Sequence, residues 1–279
     1  MPASPLGPIP GLGYAESIST HALTRLSDGS SATDSAPIAE EIPVAFVYNT
    51  ESFVVVMASP TDLEDLAVGF SITEGIVDRP SDVDSIEVIR QSRGIELQIA
   101  IPEASGARLA ARRRGLNGRT GCGLCGIEAI DEVLKQPTPV PSGATFKHDA
   151  LWRAAAELQA RQPINNETRA VHAAAFADRV GRLLVVREDV GRHNALDKVI
   201  GSLARSGTDT SSGFLVVTSR ASYELVQKTA IVGVPVLAAV SRPTGLAIQL
   251  ADQAGITLVG LLRGRSANVY SHQERLVMI

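Results

Sequence analysis

Cysteine is nearly absent. Two in 279 residues exclude a secreted disulfide scaffold and make a reducing cytoplasm the expected compartment. Lysine is scarce as well, since nearly all of the 26 basic side chains are Arg. Codon bias accounts for that most simply, although Arg beside a loop suits bidentate phosphate contacts. Long apolar runs are missing: Thr229 to Val240, the longest, is short and carries Gly233 and Pro235, so no membrane span is expected. Residues 1–38 have no cationic start and no apolar core, which excludes a secretory signal. Rich in Pro, Ser, Gly and Thr, they read as a disordered tail. The net charge of -4 speaks against general binding to nucleic acid or a membrane surface.

What is present is the apolar content of a globular protein, 44%, on a chain long enough for one large core or two small ones. Order is expected from about Glu40. Ile42 to Tyr48 and Phe53 to Ala58 are β-rich runs joined by a short polar link, hence a hairpin. Ser59-Pro60 opens a helix with Leu63, Leu66 and Phe70 as its apolar stripe. Alternation at Ile86 and Val88, then Ile95 to Ile101, gives a second hairpin across Ser92-Arg93-Gly94. An Arg- and Gly-rich stretch over 103–126 follows, then a short helix from Ile127 to Gln136. The Pro-rich Pro137 to Gly143 marks the domain boundary.

The second half alternates strand and helix. A hairpin over 171–187 comes first, then a helix over 194–205, and then three apolar strands (214–218, 234–240, 256–262) separated by helices. Continuous apolar strands between helices imply a sheet covered on both faces and parallel at least in part. The fold class is therefore α/β, with a smaller α+β domain over 39–145 and an α/β domain over 146–279.

The cysteines stand as Cys122-x-x-Cys125 among Gly121, Gly123 and Gly126. Four uses compete. A structural zinc needs four ligands and this motif supplies two, while His172 and His193 lack a matching spacing. Thioredoxin-like exchange places its first Cys after a strand, whereas this pair follows an Arg-rich loop. Inert packing is hard with glycines on every side. A nucleophilic thiol that accepts and passes on a group fits best, because Arg119 and the helix start near Ile127 would both stabilise a thiolate.

Three strand ends of the second half run into helix starts bearing small polar residues and Arg. They are Glu188 to Asn194, Thr218 to Ser222, and Ser241 to Thr244, with Arg263-Gly-Arg265-Ser266 a fourth candidate. Helix amino ends and strand carboxyl ends are where α/β sheets bind anions. Ser222, Ser241 and Thr244 are candidate donors to phosphate oxygens, with Arg220 or Arg242 as counter-charge. Ordinary N-capping explains any one of these loops. Their convergence points to a nucleotide-sized anion. His193, on a loop beside Asp189, is a better functional candidate than His172, which reads as a satisfied strand residue.

With these residues assembled, the chain resembles the FdhD/NarQ family of formate dehydrogenase accessory sulfurtransferases from about Glu40 onward. The resemblance rests on Glu41-Ile-Pro-Val-Ala-Phe-Val-Tyr-Asn49, Met57-Ala-Ser-Pro60, Leu66-Ala-Val-Gly-Phe-Ser71, Thr73-Glu-Gly-Ile76 and Gly118-Arg-Thr-Gly-Cys-Gly-Leu-Cys-Gly126. Glu188-Asp-Val-Gly-Arg-His-Asn194, Ser219 to Lys228 and Asn268-Val-Tyr270 complete it. It implies a sulfur carrier that takes sulfur from a cysteine desulfurase as a persulfide on Cys122, with Cys125 as second thiol. It implies delivery to the bis-molybdopterin guanine dinucleotide form of the molybdenum cofactor, the cargo, for use by formate dehydrogenase. The family's cofactor segment falls on Leu261, Leu262, Arg263, Gly264, Arg265 and Ser266. Relatives usually carry a basic residue where this chain has Ser266, and Arg265 is the available substitute. The resemblance also implies a C-terminal three-layer domain like the cytidine deaminase superfamily, a homodimer, and no resident metal. Zinc deamination needs H-x-E and P-C-x-x-C elements, and here Ala173-Ala174 follow His172 and Gly121 precedes Cys122. The rival from another class is a chaperone that shields the cofactor without sulfur chemistry.

Overall fold

The computed structural model describes residues 11–113, 137–141 and 143–278. Cys122, Cys125 and the helix expected over Ile127–Gln136 lie outside the described residues.

Order begins well before Glu40. Leu12–Tyr14 form a 3-10 turn, and strands β1 (Ile18–Ser27) and β2 (Ser30–Ala39) pair as an antiparallel hairpin. The tail expected over 1–38 is therefore corrected from Gly11 onward. Gly13 lies so close to the next hairpin that a Cβ there would meet Gln91 O at 2.0 Å, and Tyr14 donates to Arg90 O. The β1–β2 hairpin is mostly exposed, so it carries no core periodicity for a sequence reading to detect. Its signal is the two-residue Asp28-Gly29 turn between Ser27 and Ser30, with Gly29 at φ 72.

Strands β3 (Ile42–Tyr48), β4 (Glu51–Ala58), β5 (Ser85–Gln91) and β6 (Gly94–Ala100) form a four-stranded sheet in the order β4-β3-β6-β5. Both expected hairpins are present, and β3 and β6 pair in parallel between them. The inward residues Ile42, Val44, Phe46, Ile95, Leu97 and Ile99 bury against Leu63, Leu66 and Ala67 of helix α1 (Leu63–Thr73). Helix α2 (Glu103–Arg113) adds Leu109 to that core.

The second half holds β7 (Phe146–Lys147), α3 (His148–Ala160), α4 (Pro163–Thr168), β8 (His172–Ala177), β9 (Leu183–Asp189), α5 (Arg192–Ser206), β10 (Phe214–Val217), α6 (Tyr223–Ile231), β11 (Val236–Ala239), α7 (Gly245–Ala254), β12 (Thr257–Arg263), β13 (Ser266–Ser271) and β14 (Leu276–Val277). Its six-stranded sheet runs β13-β12-β11-β10-β8-β9, with β10, β11 and β12 parallel and the other pairings antiparallel. Strands β10 and β11 are buried along their whole length, as expected of strands covered on both faces. Alternate residues serve opposite faces. Leu215, Val217, Leu237 and Leu258 pack against α5, α6 and α7, while Phe214, Val216, Val236 and Val259 pack with Leu151, Ala154 and Leu158 of α3. Three layers result.

The halves are joined helix to helix. At the crossing of α1 and α5 a Cβ on Gly69 would lie 1.8 Å from Asp197 O, and one on Gly201 would lie 1.8 Å from Asp65 O. Only glycine permits that approach. Buried ion pairs stitch the same seam. Lys228 Nζ contacts both carboxylate oxygens of Asp197 at 3.0 Å and Thr73 Oγ1 at 2.8 Å. Arg187 Nη2 reaches Asp65 Oδ2 at 2.7 Å, and Arg205 Nη1 reaches Asp65 Oδ1 at 2.7 Å. Lys198, fully buried, meets Asp189 Oδ2 at 2.6 Å and Ser59 O at 3.0 Å. Among the described residues no helix is long and apolar enough to cross a membrane.

Candidate functional site

The topology collects the candidate loops on one edge of the six-stranded sheet. Strands β10, β11 and β12 end there, β9 ends there at Asp189, and the antiparallel β8 and β13 begin there at His172 and Ser266. Backbone bonds lace the loops together: Thr244 N donates to Ala221 O and Leu261 N donates to Ser241 O, each at 3.0 Å. Ligands of open α/β sheets seat at such strand carboxyl ends.

Each loop is shaped by identifiable forces. Asp189, fully buried, accepts from Gly191 N at 2.8 Å and from Asn194 Nδ2 at 2.9 Å. Its second oxygen takes Ser59 N at 3.0 Å besides Lys198. One carboxylate thus fixes the start of α5 and binds it to the Met57–Pro60 segment. The α7 start is closed by Thr244, whose Oγ1 accepts from Ala247 N at 3.3 Å. The α6 start differs. Ser222 occupies the N-cap position yet caps nothing, and its buried hydroxyl has no partner among the described residues.

Charge gathers on this edge. Arg220, Arg242, Arg263 and Arg265 are exposed there with no carboxylate partner among the described residues. His193 Nε2 lies 2.7 Å from Glu224 Oε2, joining the first turns of α5 and α6, and Arg192 Nη2 lies 3.9 Å from the same oxygen. Burial opposes ionisation of Glu224, but the bond and charge of His193, with Arg192 and Lys228 nearby, outweigh it and hold its carboxyl below the usual range. His172, at the start of β8, is pushed below its ordinary 6.5, first by burial and then by the charges of Arg192, Arg220 and His193.

The segment Leu261–Ser266 closes the far side of the edge. Leu261 holds the left-handed φ 54 at a bulge where the β12–β13 register shifts between Gly260 and Arg263. Gly264, at φ 56, and Arg265 make the two-residue turn between Arg263 and Ser266. Leu262 is 1% exposed and belongs to the core under α3, so within this segment it serves packing. Arg263, Arg265 and Ser266 are exposed.

Of the residues singled out from sequence, the structure brings Arg220, Ser222, Ser241, Thr244, His193 and Leu261 to Ser266 to one edge. Asp189 and Arg192, within the Glu188 to Asn194 loop, stand there too, and so does Glu224, which was not singled out. Glu224 has the look of a helix-start acid, and only the pairing of α5 with α6 shows it reaching His193. His172, read as a satisfied strand residue, stands half-buried among the cations of the edge. A cleft of about 440 Å³ elsewhere is lined by Asp62, Glu64, Asp65, Arg90, Arg187 and Arg205, where the acids and bases largely neutralise one another.

Residues 39–277 match the model of the FdhD/NarQ family. The chain is 52% identical over 258 residues to the sulfur carrier protein FdhD of Cupriavidus necator, covering 92% of this chain and 90% of that one. It is 54% identical over 248 residues to the sulfur carrier protein FdhD of Xanthomonas campestris pv. campestris, covering 89% of this chain and 88% of the relative. A crystal structure from Desulfotalea psychrophila, assigned as a formate dehydrogenase accessory protein, superposes with a TM-score of 0.77 at 25% identity, over 94% of this chain and 100% of the other. With a family model spanning most of its length and relatives identical at more than half of the aligned positions, this chain belongs to the FdhD/NarQ family.

Proposed function

We propose that this protein is a cytoplasmic sulfur carrier, active as a homodimer, that loads sulfur onto the bis-molybdopterin guanine dinucleotide cofactor required by formate dehydrogenase. The Cys122 thiolate attacks the outer sulfur of a cysteine desulfurase persulfide. A new S–S bond forms on Cys122, the donor's S–S bond breaks, and the donor leaves as its thiolate. Cys125 then attacks the inner sulfur of the Cys122 persulfide: the Cys122–Cys125 disulfide forms, the persulfide S–S bond breaks, and the outer sulfur leaves at the sulfide level for the molybdenum centre of the bound cargo. The cofactor is cargo, and its phosphates seat on the carboxyl edge of the six-stranded sheet. The observation that carries the reading is the concentration of helix starts, and of arginines without a carboxylate partner among the described residues, on that one edge of a chain whose relatives are named sulfur carriers. Leu261 and Arg263 to Ser266, with Arg220, Ser222, Ser241, Thr244 and His193, form the seat.

The test is mass spectrometry after incubation with a cysteine desulfurase and cysteine. The expected result is a gain of one sulfur atom on Cys122, abolished by Cys122→Ser together with formate dehydrogenase maturation in cells. A protein that binds the cofactor and never gains sulfur is a chaperone, and that outcome refutes the proposal.

A further inference from the structure

The four-stranded sheet uses its two faces differently. Helix α1 covers one, packing on Val44, Phe46, Leu97 and their inward neighbours. On the other face the outermost strand β4 presents Val55 and Met57, 56% and 47% exposed, beside half-exposed Pro43 and Ala45 of β3. From Ser52 to Ser59 this edge carries no charge. Folded chains seldom leave an apolar edge strand bare, and blunt it with Lys, Pro or a covering segment. Farther across the same face the charge has one sign. Glu96 of β6 and Glu87 of β5 alternate outward with Gln98 and Ile89, and no Lys, Arg or His stands among the outward residues of the four strands. The two ends of β4 are anchored in different places. At the β3–β4 turn, Asn49 exchanges two bonds of 2.9 Å with the main chain of Ile101, and a Cβ on Gly106 of α2 would lie 3.2 Å from Asn49 Nδ2. From α2 the chain runs on to Cys122. At the far end Met57 O accepts from Asn194 Nδ2 at 2.8 Å, and Ser59 N donates to Asp189 at 3.0 Å, which bonds the strand to the start of α5.

We propose that this outer face, centred on Val55 and Met57, is the docking surface of the persulfide donor, a protein whose contact patch is apolar with a basic border. The apolar centre supplies burial, and Glu87 and Glu96 favour Lys or Arg on the partner. The same charge speaks against other occupants. A second copy laid on this face by a two-fold axis brings another acidic border and no cation to meet the first, and a nucleic acid or anionic lipid surface meets two carboxylates. The donor is favoured because α2, packed at one end of the face, leads on to the thiol that the donor must reach. The inference rests on the reading of Cys122 as a persulfide carrier, and it names the surface that receives its supplier.

Calorimetry of the full chain with a purified cysteine desulfurase tests the surface, with urea unfolding and sedimentation alongside. Val55→Ser/Met57→Ser is expected to weaken the complex about ten-fold or more while the urea midpoint stays put, since both side chains already face solvent. Glu87→Lys/Glu96→Lys is expected to weaken it by a similar factor, about ten-fold, at low salt, and to abolish the fall of affinity with added salt that the wild-type chain shows. Val180→Ser, at a 58% exposed position between β8 and β9, is the control and should leave the affinity within about two-fold. Affinities within about two-fold of wild type in both double variants, or no binding of the desulfurase by the wild-type chain, would overturn the assignment. So would a double variant that keeps the desulfurase and falls from dimer to monomer in sedimentation, which gives the face to a second copy. Sulfur gain on Cys122 from inorganic polysulfide, a donor too small to need a docking face, reads the carrier chemistry separately and should survive in both double variants. A wild-type chain that binds the desulfurase through this face and gains sulfur from neither donor fails the carrier reading alone.

Discussion

The buried pair Asp197–Lys228 joins the two halves, and its removal has a calculable cost. Asp197 is 2% exposed at its side chain and Lys228 9%, with Lys228 Nζ 3.0 Å from Asp197 Oδ2. Burial alone would lower the Lys228 ammonium, yet Asp197 and Glu74 outweigh it and drive its pKa upward, so Lys228 is charged throughout the physiological range. Lys228→Met strands the Asp197 carboxylate in the interior with Thr73 Oγ1, 2.8 Å away, as its one remaining side-chain donor among the described residues. Breaking a buried pair by removing one partner costs about 3–5 kcal/mol, a large share of the roughly 5–15 kcal/mol that holds a domain folded. The companion variant Asp197→Asn/Lys228→Met removes both charges and retains an acceptor for Thr73. It is expected to recover more than half of the loss, because the desolvation penalty disappears with the charges. Urea unfolding followed by circular dichroism measures both, with the midpoint moving and the slope constant. A single variant that loses less than about 1 kcal/mol, or a double variant no more stable than the single, would refute the claim that an uncompensated charge sets the cost.

Other outcomes follow from the same geometry. Gly201→Ala places a methyl 1.8 Å from Asp65 O and 2.9 Å from Gly69 N, so α1 and α5 must part. A loss of about 1–3 kcal/mol or more is expected by urea unfolding, and adding Gly69→Ala should cost less than its separate effect, since one separation relieves both. His172 has its folded pKa depressed below 6.5, so the stability it contributes is full above that value and is lost as pH falls through the folded one. Between neutral pH and about pH 5, His172→Gln should therefore lose less stability than the wild-type chain, measured as urea midpoint against pH. Asp189→Asn leaves the Lys198 ammonium buried without its carboxylate and slackens the start of α5. It is expected to cost about 3–5 kcal/mol, read as a lowered midpoint in urea unfolding.

Much of this was readable from residue order because burial writes itself into pattern. The runs Phe214–Val217 and Val236–Ala239 are apolar throughout because helices cover both faces, and Ile95, Leu97 and Ile99 alternate because one face of their sheet packs on α1. The β1–β2 hairpin escaped because an exposed ladder needs no alternation, and Asp28-Gly29 was its only mark. Strand β13 was hidden likewise, being a half-exposed edge strand whose first residue, Ser266, was read as the end of a cofactor segment. At the site, residue type found Ser222, His193 and the arginines. It could not separate Ser222 from Thr244, because both are N-cap residues and only the bonds they make differ. Nor could it pair Lys228 with Asp197 or Lys198 with Asp189, since in sequence these are ordinary charges on helices and burial alone makes them unusual.

Where α1 crosses α5, main chain rests on main chain, and no side chain stands between to act as a lubricant or a shim. The two helices cannot slide past one another there without parting, so the four-stranded sheet and α5 hold one fixed spacing. Neither sheet can be lent to another scaffold as a module, because the surface left behind would be close-fitted peptide beside charges stripped of their partners.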